Sequence, residues 1–365
     1  MHIRISVPGR TELAGNHTDH QGGHVLAAAV DRFLTAEAEK APDTATVVSE
    51  GFPAFSVSLR ELGKEHSVPG TSEALLRGVL EYLGREGHPI GGFRAEVSSG
   101  LPSGAGLSSS AAFGVLMGRV VSGLYADGGI PALTLAKAAQ YAENVHFGKP
   151  CGLMDQCAVA FRGVSFIDFR DADPMVETIH TELFAPDYRL LTVDTGGSHA
   201  DLTGDYAAIP ADMTAVAAYF GQDRLRDVAE DEFRASLPKV RTACGDRAVL
   251  RALHFYGEER RVPLMAAALK AGDAGTYLRL MNESGHSSAE LLQNQYAPAA
   301  PQYQSIPLAL GLCREVLGAD GAARVHGGGF AGMVQVLCPA GRVDALRKAA
   351  EPVFGAGSVK ELKIV

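Results

Sequence analysis

The feature that most constrains this chain is a strand, a glycine-serine loop and a helix start that follow one another without a break. Residues 92–99 alternate between apolar and polar side chains, which predicts a strand, and a helical apolar periodicity predicts a helix over 111–125. Between them, residues 102–112 read PSGAGLSSSAA. Small residues let backbone N–H groups surround an oxyanion, and a helix N-terminus adds free donors and partial positive charge. The pattern predicts a phosphate-binding loop.

Two familiar phosphate loops fit this segment poorly. A Walker A loop ends in Gly-Lys-Ser/Thr, whereas Leu107 and then serines occupy that place here. A Rossmann turn requires a third glycine where this chain has Ser109. A plain glycine-serine loop in which a serine caps the helix remains an open alternative.

Length and charge restrict the class of protein. A chain of 365 residues favours two domains, each large enough for its own core. The formal net charge of −9, with no basic block, argues against a nucleic-acid or anionic membrane surface. There is no signal-peptide core, and no apolar run approaches the roughly 18 residues of a membrane span. Five scattered cysteines without a Cys-x-x-Cys pair predict reduced thiols and a cytoplasmic location.

A polar, glycine-rich segment at residues 8–24 follows the strand-like N-terminus. Its polar side chains include Arg10, Asn16, His17, Asp19, His20 and His24. Carboxylate, amide and imidazole groups at this density suit the recognition of several hydroxyl groups. The histidines with the aspartate are alternatively metal ligands, and a solvated surface loop is also open.

Two further segments carry chemistry. A helix should end near residues 148–150, and Asp155 then lies among apolar neighbours as a candidate base or, equally, as a helix N-cap. Residues 327–332 match Gly-x-Gly-x-x-Gly, but a strand-like run follows instead of a helix, so a dinucleotide site is excluded. Glycines between two strands indicate close approach of the backbone to a neighbouring loop or ligand.

The order and spacing of these segments resemble the GHMP family of small-molecule kinases, and within it the galactokinases, over most of the chain. The resemblance rests on four segments: residues 9–19, 102–112, 151–156 and 327–332. It implies a mixed α/β and α+β fold, the two-domain GHMP kinase fold with the active site between the domains. We expect an N-terminal domain over residues 1–182, with the sugar loop, phosphate loop and catalytic aspartate, and a C-terminal domain over 183–365.

The resemblance also implies an activity, the ATP-dependent phosphorylation of the anomeric C1 hydroxyl of D-galactose to galactose 1-phosphate. Asp155 would accept the hydroxyl proton, and Arg10 would keep Asp155 ionised and stabilise the transferring phosphoryl group. Ser110 and Glu143 would hold Mg²⁺. We expect a monomer or weak homo-oligomer whose partners are the sugar and ATP.

The same resemblance implies two sets of binding residues. The residues that would surround the triphosphate are Gly104, Ala105, Gly106, Leu107, Ser108, Ser109 and Ser110. The residues that would contact the sugar are Asn16, His17, Asp19, Gly152 and Tyr206.

One departure from the galactokinase pattern bears on sugar specificity. Galactokinases commonly have Asn where this chain has Glu12, and Glu where it has Asn16. The family's glutamate contacts the C6 hydroxyl, and an amide there would no longer repel a carboxylate at C6. The alternative function is therefore an anomeric kinase for a modified galactose, such as galacturonate or an N-acetylated amino sugar. A non-catalytic sugar sensor is a third hypothesis, against which the intact serines, Glu143 and Asp155 argue.

Overall fold

The computed structural model describes residues 2–101, 107–197 and 202–365, which form two compact units. Unit 1 contains the chain up to Arg10, Ala28–Gly163 and Val365, and unit 2 contains Thr11–Ala27 and Val164–Ile364. The units are interleaved along the sequence, whereas the expected domains, 1–182 and 183–365, are contiguous. That boundary stays a prediction.

Unit 1 contains a sheet in which the strand at Phe93–Ser99 alternates between buried and exposed residues, as its sequence pattern predicts. Its strands come from β1 (His2–Ala14), β2 (His24–Lys40), β3 (Thr44–Ser49), β4 (Phe55–Ser58) and β5 (Phe93–Ser99). The order is β4-β3-β5-β2, and β1 pairs with β2. Strand β3 runs parallel to β5, while the β3–β4 and β2–β5 pairs are antiparallel. Strands β1 and β2 each continue into unit 2.

Four α-helices pack together in unit 1. They are α1 (Ser72–Arg85), α2 (Ser109–Tyr125), α3 (Ala132–Tyr141) and α4 (Met154–Phe161), with a π-helical turn at Ala142–Phe147 and a 3₁₀ turn at Lys64–His66. The Thr71 hydroxyl accepts a hydrogen bond from the Ala74 N–H and so caps α1. Helices α2 and α3 approach closely at Gly114, where an added Cβ would lie 2.7 Å from that of Ala139.

Unit 2 contains a hairpin and a four-stranded sheet, all antiparallel. Its strands are β6 (Val164–Asp168), β7 (Met175–Ile179), β8 (Tyr188–Asp194), β9 (Ala322–Val325), β10 (Met333–Pro339) and β11 (Val359–Leu362). Strands β6 and β7 form the hairpin, and the sheet has the order β11-β8-β10-β9. The loop that joins β9 to β10 therefore holds the glycines of residues 327–332.

Two apolar clusters form the core of unit 2. Its helices are α5 (Thr203–Tyr219), α6 (Glu230–Ala235), α7 (Leu237–Cys244), α8 (Asp246–Ala271), α9 (Ala274–Ser287), α10 (Ser305–Leu317) and α11 (Val343–Phe354). Shorter turns are Asp19–Gln21, Leu225–Asp227, Ser288–Leu292 and Ala340–Arg342. One cluster joins the sheet to α10 and α11, and the other joins α5 to α8.

Apolar periodicity also predicts helices over residues 222–235 and 263–270, and the structure corrects both. In place of the first helix there are a 3₁₀ turn at Leu225–Asp227 and the short α6, because Arg224 and Val228, which flank the turn, have extended backbones. The helix expected over 263–270 begins much earlier, at Asp246. Its first half buries the polar side chains of Arg251, His254 and Glu258, which obscure the apolar period.

Within the described residues, no helix combines the length and the apolar character that crossing a membrane requires. All five cysteines carry free thiols, and three of them are buried.

The close contact between α2 and α3 makes a testable prediction about Gly114. Alanine is a better helix former than glycine, yet we expect Gly114→Ala to lower the free energy of unfolding by about 1–3 kcal/mol, because the new methyl group overpacks against Ala139. Gly311 in α10 is the matched control, since no atom lies within 4 Å of its added Cβ. Gly311→Ala should raise stability by about 0.5–1 kcal/mol. Denaturant titrations measure both, and equal gains would contradict the packing argument.

Candidate active site

The candidate catalytic residues Asp155 and Arg10 form a bidentate ion pair in unit 1. Arg10 Nε donates to Asp155 Oδ1 at 2.6 Å, and Arg10 Nη2 donates to Oδ2 at 2.9 Å. Arg10 lies on β1 and is buried, whereas 30% of the Asp155 side chain is accessible. Asp155 lies in the first turn of α4, whose N-cap position is occupied by Leu153. The carboxylate is therefore no N-cap, and a small molecule can reach it.

The surroundings of Asp155 determine its charge. Burial by itself would raise the pKa of the carboxyl, but the Arg10 guanidinium and the hydroxyl of Ser108 outweigh that effect and hold the pKa below its usual range. The positive end of α4 favours the same state. Asp155 is consequently ionised throughout the neutral pH range.

The described end of the expected phosphate loop lies directly beside this pair. The Arg10 N–H donates to the Leu107 carbonyl at 3.3 Å, and the Ser108 hydroxyl donates to Asp155 Oδ2. Ser108 has a left-handed backbone (φ 56°) and makes no side-chain cap to α2. A non-glycine residue in this region is strained, and such residues concentrate at functional sites. The expected positions Gly104, Ala105 and Gly106 lie outside the described residues.

The expected metal ligands, Glu143 and Ser110, are in contact. Glu143 is buried in the π-helical turn, where it accepts hydrogen bonds from the Ser110 hydroxyl and from Gln156 Nε2 (3.0 Å). Burial, with the charge of Asp155 adding to it, raises the pKa of Glu143. The Oε1 of Gln156 is buried and has no hydrogen-bond partner among the described residues. A desolvated carboxylate, a hydroxyl and an unpaired amide oxygen are oxygen ligands of the kind that Mg²⁺ takes.

The polar loop, defined here as Gly15–His20, is part of unit 2 and meets the glycine loop, Gly327–Gly329. Asn16 Nδ2 donates to the Gly327 carbonyl at 2.6 Å, His17 Nε2 bonds to the Gly328 carbonyl at 3.0 Å, and the Tyr206 hydroxyl donates to the Gly329 carbonyl at 2.7 Å. Three of the residues expected to contact sugar are therefore brought together. These three hydrogen bonds all go to backbone carbonyls of the glycine loop.

A buried ion pair between Glu12 and Arg324 supports the polar loop through Asn16. Arg324 Nη2 on β9 donates to Glu12 Oε1 at 2.5 Å, and both side chains are almost fully buried. The Glu12 carboxylate also accepts from Asn16 Nδ2 at 3.1 and 3.2 Å. One carboxylate thus has one cation and one amide donor, which compensates its desolvation.

Burial keeps the histidines of the polar loop neutral. It lowers the pKa of His17, and it lowers that of His20 to about 3 with the help of the nearby His17. The rings of these two residues lie 5.7 Å apart. Burial likewise raises the pKa of Tyr206 to about 12, so its hydroxyl remains a donor.

Asp19 and Gly152, the remaining residues expected to contact sugar, belong to different units. Asp19 begins the 3₁₀ turn and its Oδ1 accepts from the His20 N–H at 2.9 Å. Gly152 lies in unit 1, two residues before α4. His24 bonds elsewhere, with Asp168 at 3.3 Å and Glu259 at 3.2 Å. Within residues 2–101, 107–197 and 202–365, no three His, Cys, Asp or Glu side chains converge as a metal site.

Sequence reasoning missed three residues that support the polar loop. Asn294 Nδ2 donates to Asn16 Oδ1 at 2.8 Å and to the Gly328 carbonyl at 3.1 Å. His254 Nε2 bonds to the Asn16 carbonyl at 2.9 Å, and Glu258 accepts from the Gly15 N–H at 3.0 Å. The only sequence signal for the last two was their polar character within an otherwise helical stretch.

Comparisons with known proteins agree with this fold and these motifs. A profile described as the GHMP kinases N terminal domain matches residues 74–163, and one described as the galactokinase galactose-binding signature matches residues 2–40. The Streptomyces coelicolor galactokinase is 35% identical over 98% of this chain and 90% of its own, and that of Haemophilus influenzae is 30% identical over 95% and 88%.

Solved structures give the same result. The crystal structure of Lactococcus lactis galactokinase complexed with galactose matches with a TM-score of 0.83 and 25% identity, covering 100% of this chain and 93% of that one. A mevalonate kinase crystal structure matches in fold, with a TM-score of 0.67, 17% identity and 99% coverage of each chain. The fold is that of the GHMP kinases. The chain belongs to the galactokinase family within that group, and it is a sugar kinase.

The ion pair at Asp155 predicts a pH effect. With Arg10→Met the lowering influence of the guanidinium is lost while burial remains, so the pKa of Asp155 should rise. Because a protonated carboxyl cannot accept a proton, the acid limb of the kcat–pH profile should move to higher pH. Arg10→Lys is the control that keeps the charge, and we expect a smaller displacement. An acid limb at the same pH in all three proteins would contradict this account.

The Glu12–Asn16 contact predicts a compensated exchange. Asn16→Glu places a second buried carboxylate beside Glu12, and Arg324 would then have to neutralise both. We therefore expect the free energy of unfolding to fall by about 3–5 kcal/mol. The double variant Glu12→Asn/Asn16→Glu restores one carboxylate and one amide and should recover much of that loss. A denaturation cycle measures the coupling, which should reach about 1–3 kcal/mol. Strictly additive effects would show that the two side chains do not interact.

Proposed function

We propose that this chain transfers the γ-phosphoryl group of ATP to the anomeric C1 hydroxyl of D-galactose, giving galactose 1-phosphate and ADP. The observation that carries the proposal is the accessible Asp155 carboxylate, held ionised by Arg10 at the end of the loop that opens α2. Family membership supports the substrate class.

Asp155 has the capacity to act as the base. A carboxylate offers about four acceptor positions, of which Arg10 takes two and Ser108 one. The remaining position on Oδ1 can accept the C1 hydroxyl. Because its pKa is low, Asp155 is a weak base in the ground state. The proton therefore moves to it as the C1 oxygen bonds to the γ-phosphorus, the bond to the β–γ bridging oxygen breaks and ADP leaves.

The backbone at the start of α2 supplies the proposed nucleotide cradle. The residues proposed for it are Gly104, Ala105, Gly106, Leu107, Ser108, Ser109 and Ser110. Helix α2 begins at Ser109, so its first N–H groups have no partners within the helix and offer donors to an anion. The Arg10 side chain adds fixed positive charge where the phosphoryl group is transferred.

Mg²⁺ is proposed as the metal, with Glu143 and Ser110 as its protein ligands. When bound, the ion neutralises charge on the β- and γ-phosphates. Mg²⁺ commonly takes only one or two carboxylates from the protein and completes its shell with water and phosphate oxygens. A single buried carboxylate with a hydroxyl beside it fits that requirement.

Asp19, His17, Gly152 and Tyr206 are proposed to recognise the sugar. Asp19 supplies carboxylate acceptors for vicinal hydroxyls. Neutral His17 donates through Nε2 to the Gly328 carbonyl, so its Nδ1 offers a lone pair. Asn16, the fifth expected residue, instead bonds to Glu12, Gly327 and Asn294.

The alternative of a galacturonate or N-acetylated amino sugar kinase is not favoured. It rested on an amide at position 16 facing the C6 group, and Asn16 is fully buried with its polar atoms bonded to protein. The Streptomyces coelicolor and Haemophilus influenzae relatives, which match 98% and 95% of this chain, are galactokinases. Cytoplasmic location and a monomeric or weakly oligomeric state stay predictions from the sequence.

A sugar panel tests the proposed activity. ADP release should be fastest with galactose, and slow with galacturonate, N-acetylgalactosamine and glucose. With 1-deoxygalactose, which lacks the accepting hydroxyl, no ADP should form above the background. Turnover of another hexose without turnover of galactose would reject the proposal.

Asp155→Asn tests the mechanism in the same assay. The amide keeps the shape but cannot accept the proton, so kcat should fall by about 10²–10⁴-fold while sugar binding persists. The control is Asp127→Asn, at an exposed turn with positive φ that asparagine tolerates, and it should leave kcat unchanged. Near-normal turnover of Asp155→Asn would place the base elsewhere.

A further inference from the structure

The glycine loop is held through all three of its carbonyl groups. The Gly327 carbonyl accepts from Asn16, the Gly328 carbonyl from both His17 and Asn294, and the Gly329 carbonyl from Tyr206. Consecutive carbonyls that each receive a side-chain donor leave the loop little freedom, because any shift breaks several buried hydrogen bonds at once.

Close backbone packing adds to this constraint at Gly329. Its φ of +82° lies in the region that favours glycine, and an added Cβ would collide with the Asn294 carbonyl oxygen. That carbonyl also accepts a hydrogen bond from the Phe330 N–H at 2.5 Å. Asn294 therefore contacts the glycine loop through its side chain and its backbone together.

The Asn16 side chain is enclosed by protein groups, which already use both of its Nδ2 hydrogens. Its Nδ2 serves the Glu12 carboxylate and the Gly327 carbonyl, and its Oδ1 accepts from Asn294 Nδ2. The side chain is 0% exposed. Its backbone is fixed as well, since the Asn16 carbonyl bonds to His254, a buried histidine whose pKa burial lowers to about 4.

We propose that Asn16 and Asn294 form a buried amide pair that positions His17 on the glycine loop, and that neither side chain touches the sugar. Asn294 and His17 share the Gly328 carbonyl, and Asn16 precedes His17 in the chain. The amide pair therefore fixes the position and the orientation of the His17 ring. This inference rests on the proposed function, because His17 acts on the sugar only if the chain is a sugar kinase.

The two possible roles of Asn16 differ in their response to a sugar without a C6 hydroxyl. A residue that binds this hydroxyl contributes to the binding of galactose and nothing to that of 6-deoxygalactose. A positioning residue contributes equally to both, because the rest of the ring is the same. The ratio of kcat/KM for the two sugars therefore separates direct contact from positioning, which a loss of stability alone would not do.

The test compares Asn16→Ala and Asn294→Ala with wild type on both sugars. We expect KM to rise about tenfold for each sugar in each variant, the size of effect that loss of a buried hydrogen-bond partner gives, with kcat changed less than about threefold. The kcat/KM ratio between the sugars should stay within about twofold of wild type. Asn282→Ala is the matched control: its amide also bonds to backbone, at Gly321 and Ala323, and KM should not change.

Conservative variants keep the test decisive if alanine prevents folding. Asn294→Asp retains the size but replaces the donor by an acceptor, and Asn16→Ser removes the amide hydrogen bonds while leaving a smaller cavity than alanine. Both variants should show the same rise in KM for the two sugars.

Preferential loss of galactose activity in the Asn16 variants would overturn the proposal in favour of a direct C6 contact. Unchanged KM values in the folded Asn294 variants would also overturn it. Wild-type failure on galactose would instead reject the proposed function, and the ratio is then measured on the hexose that wild type does phosphorylate and its 6-deoxy analogue.

Discussion

Strand β1 carries the constraint on which both candidate sites depend, because it buries two opposite charges two residues apart. Arg10 pairs with Asp155, 145 positions along the chain, and Glu12 pairs with Arg324, 312 positions along. A buried charge without its partner costs several kcal/mol, so the fold must deliver each partner to within hydrogen-bond distance. That requirement fixes the first turn of α4 next to Arg10 and strand β9 next to Glu12.

The pKa values of the two candidate-site carboxylates of unit 1, Asp155 and Glu143, are driven in opposite directions by their surroundings. The pKa of Asp155 lies below its usual range because a guanidinium and a hydroxyl stabilise the anion, whereas burial raises that of Glu143. Environments that separate neighbouring pKa values are typical of acid–base sites. In the proposed mechanism Asp155 receives a proton late in the reaction, and Glu143 is stabilised by a cation that compensates its burial.

The departure from the galactokinase pattern at positions 12 and 16 has a local physical explanation. The chain keeps one carboxylate and one amide in contact, with the charge on Glu12, where Arg324 pairs with it. The amide of Asn16 is then free to bridge the glycine loop and Asn294. The exchange changes which side chain supports the loop, and positions 12 and 16 together still hold one carboxylate and one amide.

Much of the fold and the order of the motifs followed from local sequence alone. The strand β5, the start of α2 and the glycines between β9 and β10 were predictable because backbone geometry restricts which residues can occupy a tight loop or a helix start. The first half of α8 was not predictable, since its buried polar residues, such as His254, acquire partners only from other elements.

The sequence by itself determined the kinase motifs, their spacing and the chemistry of Asp155 and Arg10 as candidates. The tertiary structure alone decided that Ser108 bonds to Asp155, that Asn294 donates to the buried Asn16, and that side chains donate to each carbonyl of the glycine loop. The reason is physical: a sequence motif reflects the backbone conformations that neighbouring residues can adopt. A hydrogen bond between residues 278 positions apart depends on a distance that only the packed chain establishes.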